Sequence, residues 1–157
     1  AYRRQRQMCI RDSNVHELSM RVTQRFGEPE QQKISLTVMS FGFKHGLPTD
    51  ADLVADMRFL PNPFWNPELR AFNGRDARVS EFVLAQEGAP EFLDAYFAAL
   101  QPVLAGYTRE NKRHVTIAIG CTGGKHRSVA MTERLAAMLR DRDDLSVAVR
   151  HRDLGRE

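Results

Sequence analysis

The chain has only two cysteines, Cys9 and Cys121, and they stand far apart in different contexts. They form neither a metal-ligand pattern nor a disulfide framework, so no metal is expected and a reducing, cytoplasmic setting is. Long apolar runs are missing as well. No window approaches the roughly eighteen consecutive apolar residues of a membrane-spanning helix, so no membrane association is expected. Arg3, Arg4 and Arg6 are followed by no apolar segment, so no signal peptide is read there. Excess charge of one sign is small. A formal net charge of +3 and a pI near 9.1 hint at anionic partners without marking a nucleic-acid surface. Two nucleotide-loop signatures are absent: no Gly-x-x-x-x-Gly-Lys-Ser/Thr and no Gly-x-Gly-x-x-Gly. Neither of those nucleotide sites is expected here, and no cofactor is.

What is present centres on residues 115–130. Residues 115–119 are β-branched or apolar, as in a strand buried on both faces. Gly120, Gly123 and Gly124 then let the chain turn sharply with its amides exposed. From Ser128 the pattern is helical, with Met131, Leu135, Met138 and Leu139 on one stripe. A strand, a glycine-rich turn and a helix N-terminus together make an anion site, because unpaired N–H groups and the helix dipole meet there. Lys125, His126 and Arg127 bring side-chain charge to the same mouth. A purely structural turn needs one or two glycines and has no use for those three. Cys121, Thr122, Gly123, Gly124, Lys125, His126, Arg127 and Ser128 are therefore the candidate phosphate-binding residues.

Cys121 to Ser128 also reads Cys-x-x-Gly-x-x-Arg-Ser, which resembles the signature loop of cysteine-dependent phosphatases. Under that alternative Cys121 is the nucleophilic thiolate, Arg127 clamps the phosphoryl oxygens, and Asp56 is the acid. Gly120 stands where those enzymes usually carry His. The same spacing also serves a phosphate cradle that performs no chemistry.

At 157 residues, 42% of them hydrophobic, the chain is read as one domain. Residues 1–13 show neither periodicity nor a capping signal and are read as a disordered or non-native extension. Residues 15–26 carry a three-and-four spacing of Val15, Leu18, Val22 and Phe26, so 14–33 reads as a linker helix closed by Gly27, Glu28 and Pro29. The domain proper is residues 34–157. Residues 34–41 alternate like a strand, and Lys44 and His45 in the following loop can reach an anion. Residues 54–60 read as a second strand with Asp56 and Arg58 inside an apolar run, the mark of an edge strand or a site. Pro61, Pro63 and Pro67 then make a rigid loop with the only Trp, of the kind that walls a pocket. Helices are predicted over 76–86 and 90–107, the second with a stripe of Leu93, Phe97, Leu100 and Leu104 and a bend at Pro102. After the helix at 128–140 comes a last strand at 145–149. This order predicts a three-layer α/β fold with a largely parallel four-stranded sheet and flanking helices. Ligands of such sheets bind beyond the carboxyl ends of the strands, which brings the Gly42, proline and Cys121 loops to one edge.

Three blocks closely resemble the RapZ family of RNase adapter proteins: Ser40-Phe-Gly-Phe-Lys-His-Gly46, Asp56-Met-Arg-Phe-Leu-Pro-Asn-Pro63 and Ala118-Ile-Gly-Cys-Thr-Gly-Gly-Lys-His-Arg-Ser128. The resemblance is to the family's C-terminal domain and not to its Walker-type N-terminal module. It implies a non-catalytic domain that senses glucosamine-6-phosphate or another phosphosugar. It also implies, in some bacteria, binding of a small regulatory RNA presented to a ribonuclease. The phosphosugar would lie against Thr122, Gly123, Gly124, His126 and Arg127, with Asp56 and Asn62 lining the pocket. Family members typically carry His at the Phe64 position and often Asp at Asn66. Arg150, Arg152 and Arg156 near the C-terminal end are the candidate RNA contacts, and a homo-oligomer is expected of the full-length protein.

Overall fold

A computed structural model describes residues 15–26 and 33–156. The extension read at 1–13, with Cys9, and the helix stop at 27–29 lie outside the described residues. The helix expected at 15–26 forms as α1, Val15–Phe26. It reaches the domain where Asn111 Nδ2 donates to Ser19 Oγ at 3.4 Å.

Four strands follow: β1, Ile34–Gly42; β2, Leu53–Asp56; β3, His114–Cys121; and β4, Leu145–His151. They pair in the order β2-β3-β1-β4, every pair parallel. The helices are α2, Ala77–Leu84; α3, Ala89–Arg109; and α4, Arg127–Arg140. The fold is thus the α/β arrangement that the element order predicts. The two interior strands, β1 and β3, are the most continuously apolar stretches, because both of their faces are covered.

Strand order decides where the chemistry sits. The chain leaves β1 toward β2 on one side and leaves β3 toward β4 on the other. Because β3 lies on the β2 side of β1, the two connections cross, and the loops after β1 and β3 meet at adjacent strand ends. Right-handed crossovers place the helices between β2 and β3 and between β3 and β4 on one sheet face, and the β1–β2 connection on the opposite face. The packing agrees. Leu36, Val38, Ile117 and Ile119 join the main core with Leu100, Leu104, Met131 and Leu135, whereas Met39, Phe41 and Ala118 form a second small core with Phe43 and Ala51.

The second strand is shorter than its apolar run suggests, ending at Asp56 rather than at Leu60. Asp56 itself turns the chain. Its carboxylate accepts the Arg58 amide at 2.9 Å and holds the Arg58 guanidinium at 2.7 Å, offering the backbone an alternative to the ladder. β2 is an edge strand, as a charge pair within a strand suggests. Pro102 lies inside α3 without ending it, and Asp76 caps α2 by accepting the Arg78 amide at 3.0 Å. No helix among the described residues is long and apolar enough to cross a membrane.

Candidate functional site

The loops after β1 and β3 interlock through glycine. A Cβ on Gly42 would lie 2.5 Å from the Gly123 carbonyl carbon, so the two backbones touch directly. Gly124 adopts φ 77°, and a Cβ there would lie 2.7 Å from the Gly42 nitrogen. That combination of left-handed backbone and missing space admits only glycine. Gly74 closes the site from a third side. Its amide donates to the Lys125 carbonyl at 2.8 Å, and a Cβ on it would lie 2.3 Å from the His126 carbonyl oxygen.

Cys121 anchors the turn from beneath. Its Sγ is hydrogen-bonded to Ser128 Oγ at 3.0 Å and accepts the Gly124 amide at 3.3 Å, and the residue is buried. Cys121, Gly124 and Ser128 thus form an internal brace between the end of β3 and the start of α4. Above it, the amides of Thr122 and Gly123 meet no acceptor among the described residues. The Thr122 carbonyl accepts the Lys44 amide at 3.2 Å, which ties the β1 loop to the rim.

Arg127 is the central group. It is only 5% exposed, yet it opens α4 at a cleft of about 590 Å³. Its Nη1 donates to the carbonyls of Arg58 at 3.2 Å and Leu60 at 2.9 Å, and its Nη2 donates to Thr122 Oγ1 at 3.1 Å. Its Nε is buried and meets no acceptor among the described residues. A buried guanidinium with no carboxylate partner and an orphan N–H is costly unless an anion completes it. His126 is also buried, with Nε2 3.3 Å from the Arg70 carbonyl.

Of the residues singled out in the sequence, Lys44, Asn62, Cys121, Thr122, Gly123, Lys125, His126 and Arg127 share the walls of this cleft. Asp56, His45, Gly124 and Ser128 do not. Asp56 is paired with Arg58, whose hydrogen bond holds the carboxyl below the usual carboxylate range. It still meets the cleft's charge, because Arg127 also favours its ionised form and Arg58 offers its carbonyl to Arg127. His45 follows β1 in a short 3-10 turn, with Nε2 buried and without a hydrogen-bond partner among the described residues. A larger neighbouring depression of about 690 Å³ shares Ala71 and Lys125 with the cleft. It includes neither Arg127 nor the Thr122–Gly123 turn, so size and chemistry part company here.

The three arginines proposed for RNA differ in availability. Arg150 is exposed on β4. Arg152 donates to Asp153 at 2.7 Å and to the Gly46 carbonyl at 2.6 Å, with its side chain 18% exposed. Arg156 remains more exposed but also reaches Asp153, at 3.2 Å.

Sequence reasoning missed three participants. Arg70 lines the cleft from outside every quoted motif. Gly74 had no distinguishing signal. Asp153, fully buried, accepts the Gly42 amide at 2.7 Å and so fixes the end of β1 against the turn. A lone acid among Arg150, Arg152 and Arg156 was its only trace.

The matches to known proteins fall on this same framework. The family described as RapZ C-terminal domain matches residues 34–155, from the start of β1 to past the Asp153 anchor. A protein of Clavibacter michiganensis subsp. michiganensis, named nucleotide-binding protein, is 62% identical over 144 residues, covering 92% of this chain and 50% of that protein. A nucleotide-binding protein of Leifsonia xyli subsp. xyli is 61% identical over 93% of this chain and 50% of its own length. One of Streptomyces coelicolor is 59% identical over 92% of this chain and 48% of its own. The chain spans about half the length of the curated relatives it matches. With the glycine-braced turn, the cleft and the sequence match all within one span, the chain belongs to the RapZ C-terminal domain family.

Proposed function

We propose that this domain binds the phosphate of a phosphorylated amino sugar, glucosamine-6-phosphate, without turning it over, and serves as an RNA-binding regulatory adapter. One observation carries the ligand half. The buried Arg127 keeps an unpartnered Nε at a cleft whose rim holds the free amides of Thr122 and Gly123. A phosphoryl group supplies several acceptor oxygens for those donors, and charge-assisted bonds to arginine are the strong ones. Lys44 and Lys125 at the rim add positive charge. Membership of the RapZ family and the exposed Arg150 support the adapter half.

The test is thermal. Glucosamine-6-phosphate at a hundredfold excess over its dissociation constant should stabilise the folded chain by about 2.7 kcal/mol and raise Tm accordingly. Arg127→Ala should abolish the shift, while Arg127→Lys, which keeps the charge but not the fork, should reduce it. An unchanged Tm for the folded wild-type chain at millimolar ligand would end the proposal.

The phosphatase reading has one observation in its favour, the hydrogen bonds that Cys121 Sγ makes with Ser128 Oγ and the Gly124 amide. Its acid is poorly placed. Asp56 is outside the cleft, and a carboxyl held low by Arg58 is not protonated at neutral pH. Turnover of an aryl phosphate that vanishes in Cys121→Ser would establish that reading, and inactivity across roughly pH 5 to 8 would remove it.

A further inference from the structure

We infer that Phe64 and Trp65 form a ring-stacking subsite of the cleft, which selects phosphate esters bearing a flat ring face over inorganic phosphate. The inference rests on the anion-binding reading above and deepens it, because it concerns the organic part of the same ligand.

The support begins with rigidity. Residues 61–67 contain three prolines, and a 3-10 turn spans Pro63–Trp65. Asn62 Oδ1 accepts the Phe64 amide at 3.2 Å, and Asn66 Oδ1 accepts the Glu68 amide at 3.0 Å. The buried Pro63 pins the turn to the domain. A segment so constrained holds its side chains in place before any ligand arrives, which lowers the entropic cost of binding.

What the turn holds is unusual for a free surface. Phe64 is 42% exposed and Trp65 is 74% exposed, and both line the cleft that Arg127 opens into. The rings meet edge to face, with centroids 5.4 Å apart and planes at 83°. Arg70 fixes the pair: its guanidinium stacks 4.5 Å over the Phe64 ring, and its Nε donates to the Phe64 carbonyl at 3.0 Å. Trp65 is left with most of its indole uncovered.

One cleft therefore combines an anion cradle with an exposed, preorganised aromatic wall. Phosphate alone satisfies the first and leaves the second in water. A ligand that joins a phosphate to a ring satisfies both, and concave sites of this mixed kind orient ligands through their few polar groups. Two rings fit the chemistry, the CH-rich face of a pyranose and the π face of a nucleobase.

The experiment uses the full chain, three probes and four proteins. Inorganic phosphate, glucosamine-6-phosphate and a nucleoside 5′-monophosphate are titrated into wild type, Trp65→Ala, Trp65→Leu and Phe64→Ala. Since Trp65 is the only tryptophan, its emission reports directly on stacking. The expected result is that a ring-bearing ester shifts wild-type emission and binds more tightly than phosphate. Trp65→Ala and Trp65→Leu should then lose about tenfold or more of the ester's affinity while phosphate affinity stays within about twofold, as stacking contributions of this size imply. Which ester loses affinity identifies the ring as sugar or base. Esters that bind wild type no better than phosphate, or variants that lose ester and phosphate equally, would overturn the subsite while leaving the cradle standing. Failure of all three probes to bind wild type would overturn the cradle and the subsite together.

Discussion

Asp153→Ala is expected to lower the unfolding free energy by about 3 kcal/mol, although the residue stands outside every ligand-facing wall. The buried carboxylate is the junction of three segments. It accepts the Gly42 amide at 2.7 Å and the Arg152 guanidinium at 2.7 Å, and it is reached by Arg156 at 3.2 Å. Gly124 lies directly beside it, since a Cβ at that position would come within 3.1 Å of the Asp153 Cβ. Removing the carboxylate strands the buried Gly42 amide and leaves the mostly buried Arg152 guanidinium bonded to the Gly46 carbonyl without this counter-charge. Burial by itself would raise the Asp153 pKa. Arg152, the Gly42 amide and Arg156 outweigh it and hold the group at about 2, against an ordinary 3.8.

The direction of the pH effect follows. The unfolded chain binds this proton more tightly than the folded one, so the contribution is complete above the ordinary carboxylate range and lost as pH falls toward 2. Urea unfolding of wild type and Asp153→Asn, compared across this range, isolates the group from the other carboxylates. The stability gap between the two proteins should narrow steadily below about pH 4. A gap that stays constant down to pH 2 would refute the assignment. Because Asp153 also fixes the β1 end against Gly123 and Gly124, its loss should weaken phosphate-ester binding as well.

This residue also shows where sequence reading runs out. The strand, glycine turn and helix of residues 114–140 were legible because each depends on local order: apolar residues without interruption, glycines at a turn, a stripe at helical spacing. Asp153 works through β4 lying beside β1, a neighbourhood that no local pattern encodes. In the sequence it merely interrupts a basic stretch, and the Arg152 guanidinium, a candidate RNA contact, is bound to it at 2.7 Å. The second strand stops short of its apolar run for the opposite reason. Its apolar run continues, but the Asp56 side chain turns the backbone at Arg58. That same bond left Asp56 outside the cleft, whereas Asn62, only six residues later, lines it. The proline loop shows the intermediate case. Its rigidity could be read from three prolines, yet the stacking of Arg70 on Phe64 required the fold.

Gly120→His restores the residue that cysteine phosphatases usually carry before the nucleophile, and here it is expected to unfold the site rather than activate it. A Cβ at position 120 would lie 2.5 Å from Phe41 Cζ and 2.6 Å from Phe43 Cε2. Phe41 is fully buried, and its ring packs against Phe43 at 4.8 Å. Arg58 stacks 4.0 Å over Phe43 from outside, so neither ring has an easy retreat. For Gly120→Ala, the entropic benefit of removing a strand glycine is about 0.5 to 1 kcal/mol. Overpacking costs about 1 to 3 kcal/mol, so the alanine variant should be less stable than wild type. An imidazole adds five further heavy atoms to the same space, and the cost should exceed about 4 kcal/mol, a large share of the stability of a domain this size. Shrinking the half-buried neighbour separates crowding from any other cause. Gly120→Ala combined with Phe43→Ala should be less destabilised than the sum of the two single variants, a coupling readable from a double-mutant cycle in urea. Strict additivity would show that the rings are not the obstacle. A Gly120→His protein as stable as wild type and active on an aryl phosphate would return the loop to the phosphatases. The glycine at this position answers to Phe41 and Phe43, and what those rings leave room for is a turn of bare backbone, suited to holding an anion through its amides.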